Sequence, residues 1–292
     1  MASRRFTGYV ANARLIQSIC RCRPREIIIK WAMSGKIGVF DSGVGGLSVL
    51  REIHRLYPHI PTIYVADQKN VPYGPKNHAE ILSFVRPIVD FFIQQGAEVI
   101  VLACHAASAA ALYPLRDLYP DVPFVGIEPA VKPAVNASKT GVIGVLTTQA
   151  TADGLLYRKV LRQFAGDAHV ITQIAPHLVT LVESGTFATE AGRAIIRDYI
   201  QPLLAQNIDQ LVLACTHFPF LADEIRHITG EHVTLVDPGL PVAKQVGRVL
   251  PKHFTPATAP HTYFTTGDLT AFQQALHLLI GIDDPAHLLV MA

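Results

Sequence analysis

The chain has 292 residues, 50% of them hydrophobic and only 16% charged, which supplies a large buried core and excludes disorder over most of its length. No apolar run approaches the ~20 residues of a membrane helix, and the short "EIIIKWA" (26–32) is broken by Lys30. The net charge of +2 is unevenly spread: seven basic residues and one acid lie in 1–32, leaving a body of net −4 that argues against a broad nucleic-acid surface.

Residues 1–32 lack the apolar segment and cleavage site of a secretory signal. They read as a basic N-terminal extension with two readings open: a translated region upstream of a start at Met33, not native or disordered, or a regulatory or targeting extension. Cys20 and Cys22 within it are spaced neither for a strain-free disulfide nor for a CxxC metal site. From residue 36 onward, short apolar runs alternate with amphipathic stretches, the pattern of βαβ units and parallel sheets. "KIGVF" (36–40) predicts a strand, and 45–58 a helix with Leu47, Leu50, Ile53 and Leu56 on one face and Pro58 as its stop. "TIYVAD" (62–67) is a second strand. A helix over 77–96 follows, with a kink expected at Pro87 because proline removes a backbone hydrogen bond. "EVIVLA" (98–103) is a third strand, leading into a small-residue helix at "HAASAAAL", and "FVGI" (124–127) is a fourth.

The pattern then restarts. "TGVIGVLTT" (140–148) resembles "KIGVFDSG", and "QLVLACTH" (210–217) resembles "VIVLACHA". Gly38 matches Gly144 and Cys104 matches Cys215, so the order and spacing suggest a duplication. The expected fold is α/β: two similar domains with largely parallel sheets, related by a pseudo-twofold axis, with the active site in the cleft between their strand carboxyl ends. That symmetry puts Cys104 and Cys215 on opposite walls of one cleft. An unperturbed thiol titrates near 8.5, so forming its thiolate at neutral pH costs only about 2 kcal/mol. One such base on each face of a carbon suits an inversion, one thiolate taking a proton and the other thiol returning one. The opposing interpretation is packing, since a cysteine ending a core strand is commonly just buried.

"FDSGVGGL" (40–47) places Asp41 and Ser42 at a strand end before glycines whose amides suit a carboxylate. It is neither GxGxxG nor a P-loop. His217, two residues after Cys215, is placed to exchange protons beside that thiol. No HExxH or paired CxxC occurs, so no metal site is expected.

"FDSGVGGLSVL", "VPYGPK" (71–76), the two "LAC" motifs, "GVLTTQAT" (144–151), "LVESG" (181–185) and "TTGD" (265–268) occur in an order that resembles the glutamate racemase family, over residues 36 to about 275. DSGxGGL with PYG and two spaced cysteines favours glutamate racemases over the related aspartate and hydantoin racemases. The resemblance implies a cofactor-independent cytoplasmic enzyme, a homodimer, that interconverts L- and D-glutamate and supplies D-glutamate for peptidoglycan, cell wall and cell shape. It implies Cys104 acting on D-glutamate with Asp41, Cys215 acting on L-glutamate with His217, and Asp67 and Glu183 as further acidic site residues. Ser42, Pro72, Tyr73, Gly74, His105, Ala106, Thr148 and Thr216 match substrate-contacting positions. The implied domains are 33–130 plus 239–292, and 131–238. The family's first motif reads Cys-Asn-Thr where this chain has Cys104-His105-Ala106, "APHL" (175–178) lacks a cysteine before its proline, and "VDPG" (236–239) replaces a more typical Asp-Ser. Those departures keep two alternatives open: a racemase of another amino acid, or a weakly active or regulatory binding protein on the same scaffold. Some members of the family inhibit DNA gyrase, and the basic extension would suit such a contact.

Overall fold

The computed structural model describes residues 35–291, so the readings made on residues 1–32 lie outside it. It contains ten strands. β1 (Lys36–Asp41), β2 (Thr62–Ala66), β3 (Ala97–Leu102), β4 (Phe124–Gly126), β9 (Thr262–Thr265) and β10 (Ala286–Leu288) form one sheet in the order β10-β9-β2-β1-β3-β4. β5 (Val142–Thr147), β6 (His169–Ile174), β7 (Gln210–Ala214) and β8 (Thr234–Val236) form a second, in the order β6-β5-β7-β8. Every pairing in both is parallel. The order β2-β1-β3-β4 in the first sheet is therefore reproduced as β6-β5-β7-β8 in the second. β1 and β5 are the equivalent central strands, and β3 and β7 the strands that end beside Cys104 and Cys215.

The connections are helical, as parallel strands require. In the first half they are α1 (Leu47–Leu56), α2 (His78–Gln94), α3 (His105–Leu118) and α4 (Val131–Ala137). In the second they are α5 (Gln149–Asp153), α6 (Leu155–Phe164), α7 (Pro176–Glu183), α8 (Glu190–Leu204) and α9 (Ala222–Thr229). α10 (Gly239–Val249) and α11 (Leu269–Ile280) then lead the chain back to the first sheet, where β9 pairs with β2. Asn77 caps α2 by accepting from the Glu80 amide, and the helix is unbroken across Pro87. No helix among the described residues is long and apolar enough to cross a membrane.

Alternation along β1 sends Ile37 and Val39 into one apolar layer and Phe40 into the other. The first layer continues through Val101, Leu146, Leu213 and Phe218, so it spans strands of both sheets. The second packs α2 and α3 on the first sheet's other face through Val85, Phe92 and Leu112. Burial on both faces explains why β1, β3 and β7 read as continuous apolar runs.

Candidate active site

The carboxyl ends of β1, β3, β5 and β7 converge on a pocket of about 460 Å³. Ser42 follows β1, and Cys104, His105 and Ala106 follow β3, on one side of it. Thr148 follows β5, and Cys215, Thr216 and His217 follow β7, on the other. Pro72, Tyr73 and Gly74 bring the loop between β2 and α2 over the same space. Both thiols are free and buried, and both line this pocket.

The surroundings of the two thiols differ. Cys104 is the N-cap of α3, its sulfur accepting from the Ala107 amide at 3.5 Å, and it lies 3.5 Å from Ser42 Oγ. Burial, then the nearby Asp41 carboxylate, pushes its thiol up to about 12. Cys215 Sγ lies 3.6 Å from His217 Nδ1, and His217 Nε2 lies 2.7 Å from Glu183 Oε1. Burial works against a charge on His217, but the hydrogen bonds and charges of Cys215 and Glu183 outweigh it and hold the imidazole well above its ordinary range. Burial likewise works against the Glu183 carboxylate, and the hydrogen bonds from His217, Gln68 and Val44 overcome it and hold it low. His217 is thus an imidazolium held between the Cys215 sulfur and the Glu183 carboxylate.

Three sequence-picked acids lie behind the wall and do not line the pocket. Asp41 is fully buried, its Oδ1 accepting from the Gly43 amide at 2.8 Å and its Oδ2 from Thr216 Oγ1 at 2.9 Å. Burial raises its carboxyl to about 6, the charge of His217 opposing. Glu183 accepts from the Val44 amide at 2.9 Å and from Gln68 Nε2 at 2.9 Å, besides His217. Asp67 accepts from Tyr73 Oη at 2.6 Å, Thr266 Oγ1 at 2.7 Å and Asn70 Nδ2 at 3.0 Å, so its carboxylate fastens the Pro72–Gly74 loop to the turn after β9. The expectation that the DSGVGG amides are open to a ligand is corrected at two positions. The Gly43 and Val44 amides are satisfied by the protein's own Asp41 and Glu183.

The glycines of that motif serve close approach. A Cβ at Gly45 would press on the His217 ring and lie 2.7 Å from Thr216 Oγ1, and one at Gly46 would meet Asp41. Residues that sequence reasoning passed over complete the frame. Ser48 Oγ donates to the Thr216 carbonyl at 3.0 Å, and Tyr64 Oη donates to the Gly43 carbonyl at 2.8 Å. Gln68 links Glu183 to Thr265, whose hydroxyl donates to Gln68 Oε1 at 2.8 Å. Tyr64 lies in an apolar strand and reads as core. His177, on the pocket wall and 2.6 Å from Tyr199 Oη, lies in the "APHL" stretch noted only for its missing cysteine.

Residues 37–246 match the model of the Asp/Glu/Hydantoin racemase family. Over 254 residues the chain is 44% identical to a glutamate racemase of Ectopseudomonas mendocina, covering 86% of this chain and 97% of that one. Among solved structures, a glutamate racemase isoform of Bacillus anthracis is similar with a TM-score of 0.80 at 32% identity, covering 89% of this chain and 98% of its own. A glutamate racemase of Escherichia coli, solved with L-glutamate and the activator UDP-MurNAc-ala, also gives 0.80, at 30% identity and 88% and 98% coverage.

Proposed function

The chain belongs to the Asp/Glu/Hydantoin racemase family, and from that premise we propose that it is a glutamate racemase. In this reading it is independent of a cofactor and moves the α-proton between Cys104 and Cys215. The observation that carries the mechanism is the unequal pair of thiols on one pocket. One, beside the imidazolium of His217, is set up as a base; the other, beside Asp41 and raised to about 12, is held as an acid.

L-Glutamate binds with its α-hydrogen toward Cys215. The Cys215 thiolate takes that proton, leaving a planar carbanion whose charge passes into the α-carboxylate. Cys104 then delivers its proton to the opposite face, giving D-glutamate with both thiols in reversed protonation states. The reverse reaction starts from a Cys104 thiolate. Each transfer needs donor and carbon at about 3–3.5 Å, which is the work of the substrate-holding groups Ser42, Tyr73, Gly74, Thr148 and Thr216. Asp41 and Glu183 act from behind the wall, Asp41 by holding Thr216 and Glu183 by holding the charge on His217. Asp67 acts on the pocket through Tyr73.

The physiological part of the proposal is supply of D-glutamate for peptidoglycan in the cytoplasm, by a homodimer. The similar Escherichia coli enzyme takes UDP-MurNAc-ala as activator, which supports a link to that pathway. The test is incubation with enantiopure glutamate in deuterated water, following optical activity and α-proton exchange together. Decay of rotation to zero with deuterium entering the α-position supports the reading, and Cys104→Ala and Cys215→Ala are each expected to abolish it. Racemisation by either variant at the rate of the parent chain overturns the two-thiol assignment. Exchange with another amino acid but not with glutamate would move the substrate and keep the chemistry.

A further inference from the structure

Two donors from the first half of the chain hold the Glu183 carboxylate of the second. One is the Val44 amide, fixed by the backbone. The other is Gln68, a half-buried side chain in the turn after β2 that does not line the pocket. Its Nε2 donates to Glu183 Oε2 at 2.9 Å, and its Oε1 accepts from Thr265 Oγ1 at 2.8 Å. The partners fix both ends of the amide. A carboxylate only accepts, so the amide nitrogen must face Glu183. Thr265 Oγ1 accepts from the Gly267 amide at 3.0 Å, so its own proton goes to Gln68 Oε1. Gly267 gives the side chain its room, since a Cβ there would come within 2.7 Å of Gln68 Cβ.

We infer that Gln68 is a positioning residue for the proton transfer at Cys215, acting through Glu183 and His217. This deepens the racemase reading and rests on it. A carboxylate held at one oxygen only is free to swing, because the terminal torsion of a glutamate side chain is broad. Val44 and His217 meet Oε1, and Gln68 alone pins Oε2, so the carboxylate keeps the orientation in which Oε1 faces His217 Nε2 at 2.7 Å. The same bond from Gln68 is among those that hold the carboxylate in its charged form. From His217 the line ends at Cys215, whose Sγ lies 3.6 Å from Nδ1. Thr265 lies on β9, in the segment that returns to the first sheet after the second is complete. Through Thr265, Gln68, Glu183 and His217 that segment acts on a thiol of the pocket without lining it.

The test compares the parent chain with Q68M, Q68E and T265V, using initial rates from L-glutamate between about pH 5 and about pH 9 and the melting temperature of each chain. Q68M keeps the length of the side chain and loses the donor. Its kcat/KM is expected to fall about tenfold, through kcat, with KM within about twofold, because Gln68 touches no substrate. Q68E separates positioning from mere support of the fold. A protonated Glu at this position donates to Glu183 as the amide does, whereas an ionised one has no proton to give and repels it. The ratio of its kcat/KM to that of the parent is therefore expected to be highest at the acid end and to fall as pH rises. T265V releases the other end of the amide and is expected to lose activity in the same direction, by less than Q68M. The inference is overturned if Q68M keeps the parent kcat/KM, or if the Q68E ratio does not change with pH. It is also overturned if activity across the three variants falls only as melting temperature falls. Failure of the parent chain to exchange the α-proton of glutamate would instead sink the racemase reading. In that case alkylation of Cys215 by iodoacetamide, expected to slow in Q68M with Cys104 unchanged, decides on Gln68, and an unchanged rate at Cys215 overturns its role.

Discussion

Glu183→Gln isolates the charge that sustains the imidazolium without touching the pocket wall. The carboxylate lies 2.7 Å from His217 Nε2 and also accepts from Val44 and Gln68, so the amide keeps its shape and part of its bonding. What it loses is one charge-assisted hydrogen bond, worth about 1.5–3 kcal/mol, in a site where His217 is buried. If that energy is spent on the proton transfer at Cys215, kcat/KM falls about 10- to 150-fold. Because the two enantiomers have equal free energy in water, kcat/KM is equal in both directions for any variant. The loss must therefore appear identically from L- and D-glutamate, while kcat and KM are free to move separately. Initial rates by circular dichroism from each enantiomer measure this. Alkylation by iodoacetamide, mapped by mass spectrometry, reads the two sulfurs separately: in the parent chain Cys215, beside His217, is labelled well ahead of Cys104, and in the variant that lead shrinks. A folded Glu183→Gln protein with kcat/KM within about twofold of the parent, or with Cys104 labelled first, would refute the reasoning.

Two further outcomes follow from buried groups. His54, pushed down to about 4 by burial and by the adjacent His261, stays neutral in the fold but titrates near 6.5 once unfolded. The unfolded chain thus binds the extra proton, so stability is full above about pH 6.5 and is lost as pH falls toward 4, by about 3 kcal/mol from this group. Urea midpoints across that range check it, with His54→Asn expected to flatten the slope; an unchanged slope would remove His54 from the account. Gly43→Ala places a Cβ on Glu183 Oε1 and 2.9 Å from its Cδ, so the carboxylate must leave His217. The expected result is a loss of about 1–3 kcal/mol in stability together with a fall in kcat/KM comparable to that of Glu183→Gln. Parent-like activity in Gly43→Ala would show that the carboxylate has room to relax.

The central strands and the two thiols were legible because they carry strong local signals. β1, β3 and β7 are buried on both faces and read as apolar runs, and each cysteine stands where such a run ends. β6, β8, β9 and β10 were not found. β6 is an outer strand with half-exposed or exposed side chains throughout, so its pattern never becomes apolar, and β8 and β10 have three residues each. The acids were found through motif likeness, but their aim was not. Nothing in "FDSGVGGL" says that its amides close on Asp41 and on Glu183, which is 139 residues beyond Val44. Those bonds exist only after the two halves of the chain meet. His105 was legible as a departure from a motif; that its ring is buried without a partner is a property of packing alone.

The repeat also explains why two equivalent thiols need not be chemically equal. Offsets that match Gly38 to Gly144 match Asp41 and Ser42 to Thr147 and Thr148, so the carboxylate that ends β1 has a hydroxyl as its counterpart at the end of β5. The Thr147 hydroxyl is turned to the Ala214 carbonyl at 3.2 Å, whereas Asp41 lies near Cys104 and raises it. After β7 the chain supplies Thr216 and His217, and after β3 it supplies His105 and Ala106, which place no charge beside Cys104. A two-base inversion requires one thiolate and one thiol at the start of each turnover. Two coupled thiols on one pocket lose their protons in two steps even in identical surroundings, so unequal surroundings are needed only to favour one of them for the first. Duplication sets the sulfurs on one pocket; divergence in the two residues after each cysteine, and in the carboxylate near Cys104, makes their surroundings unequal.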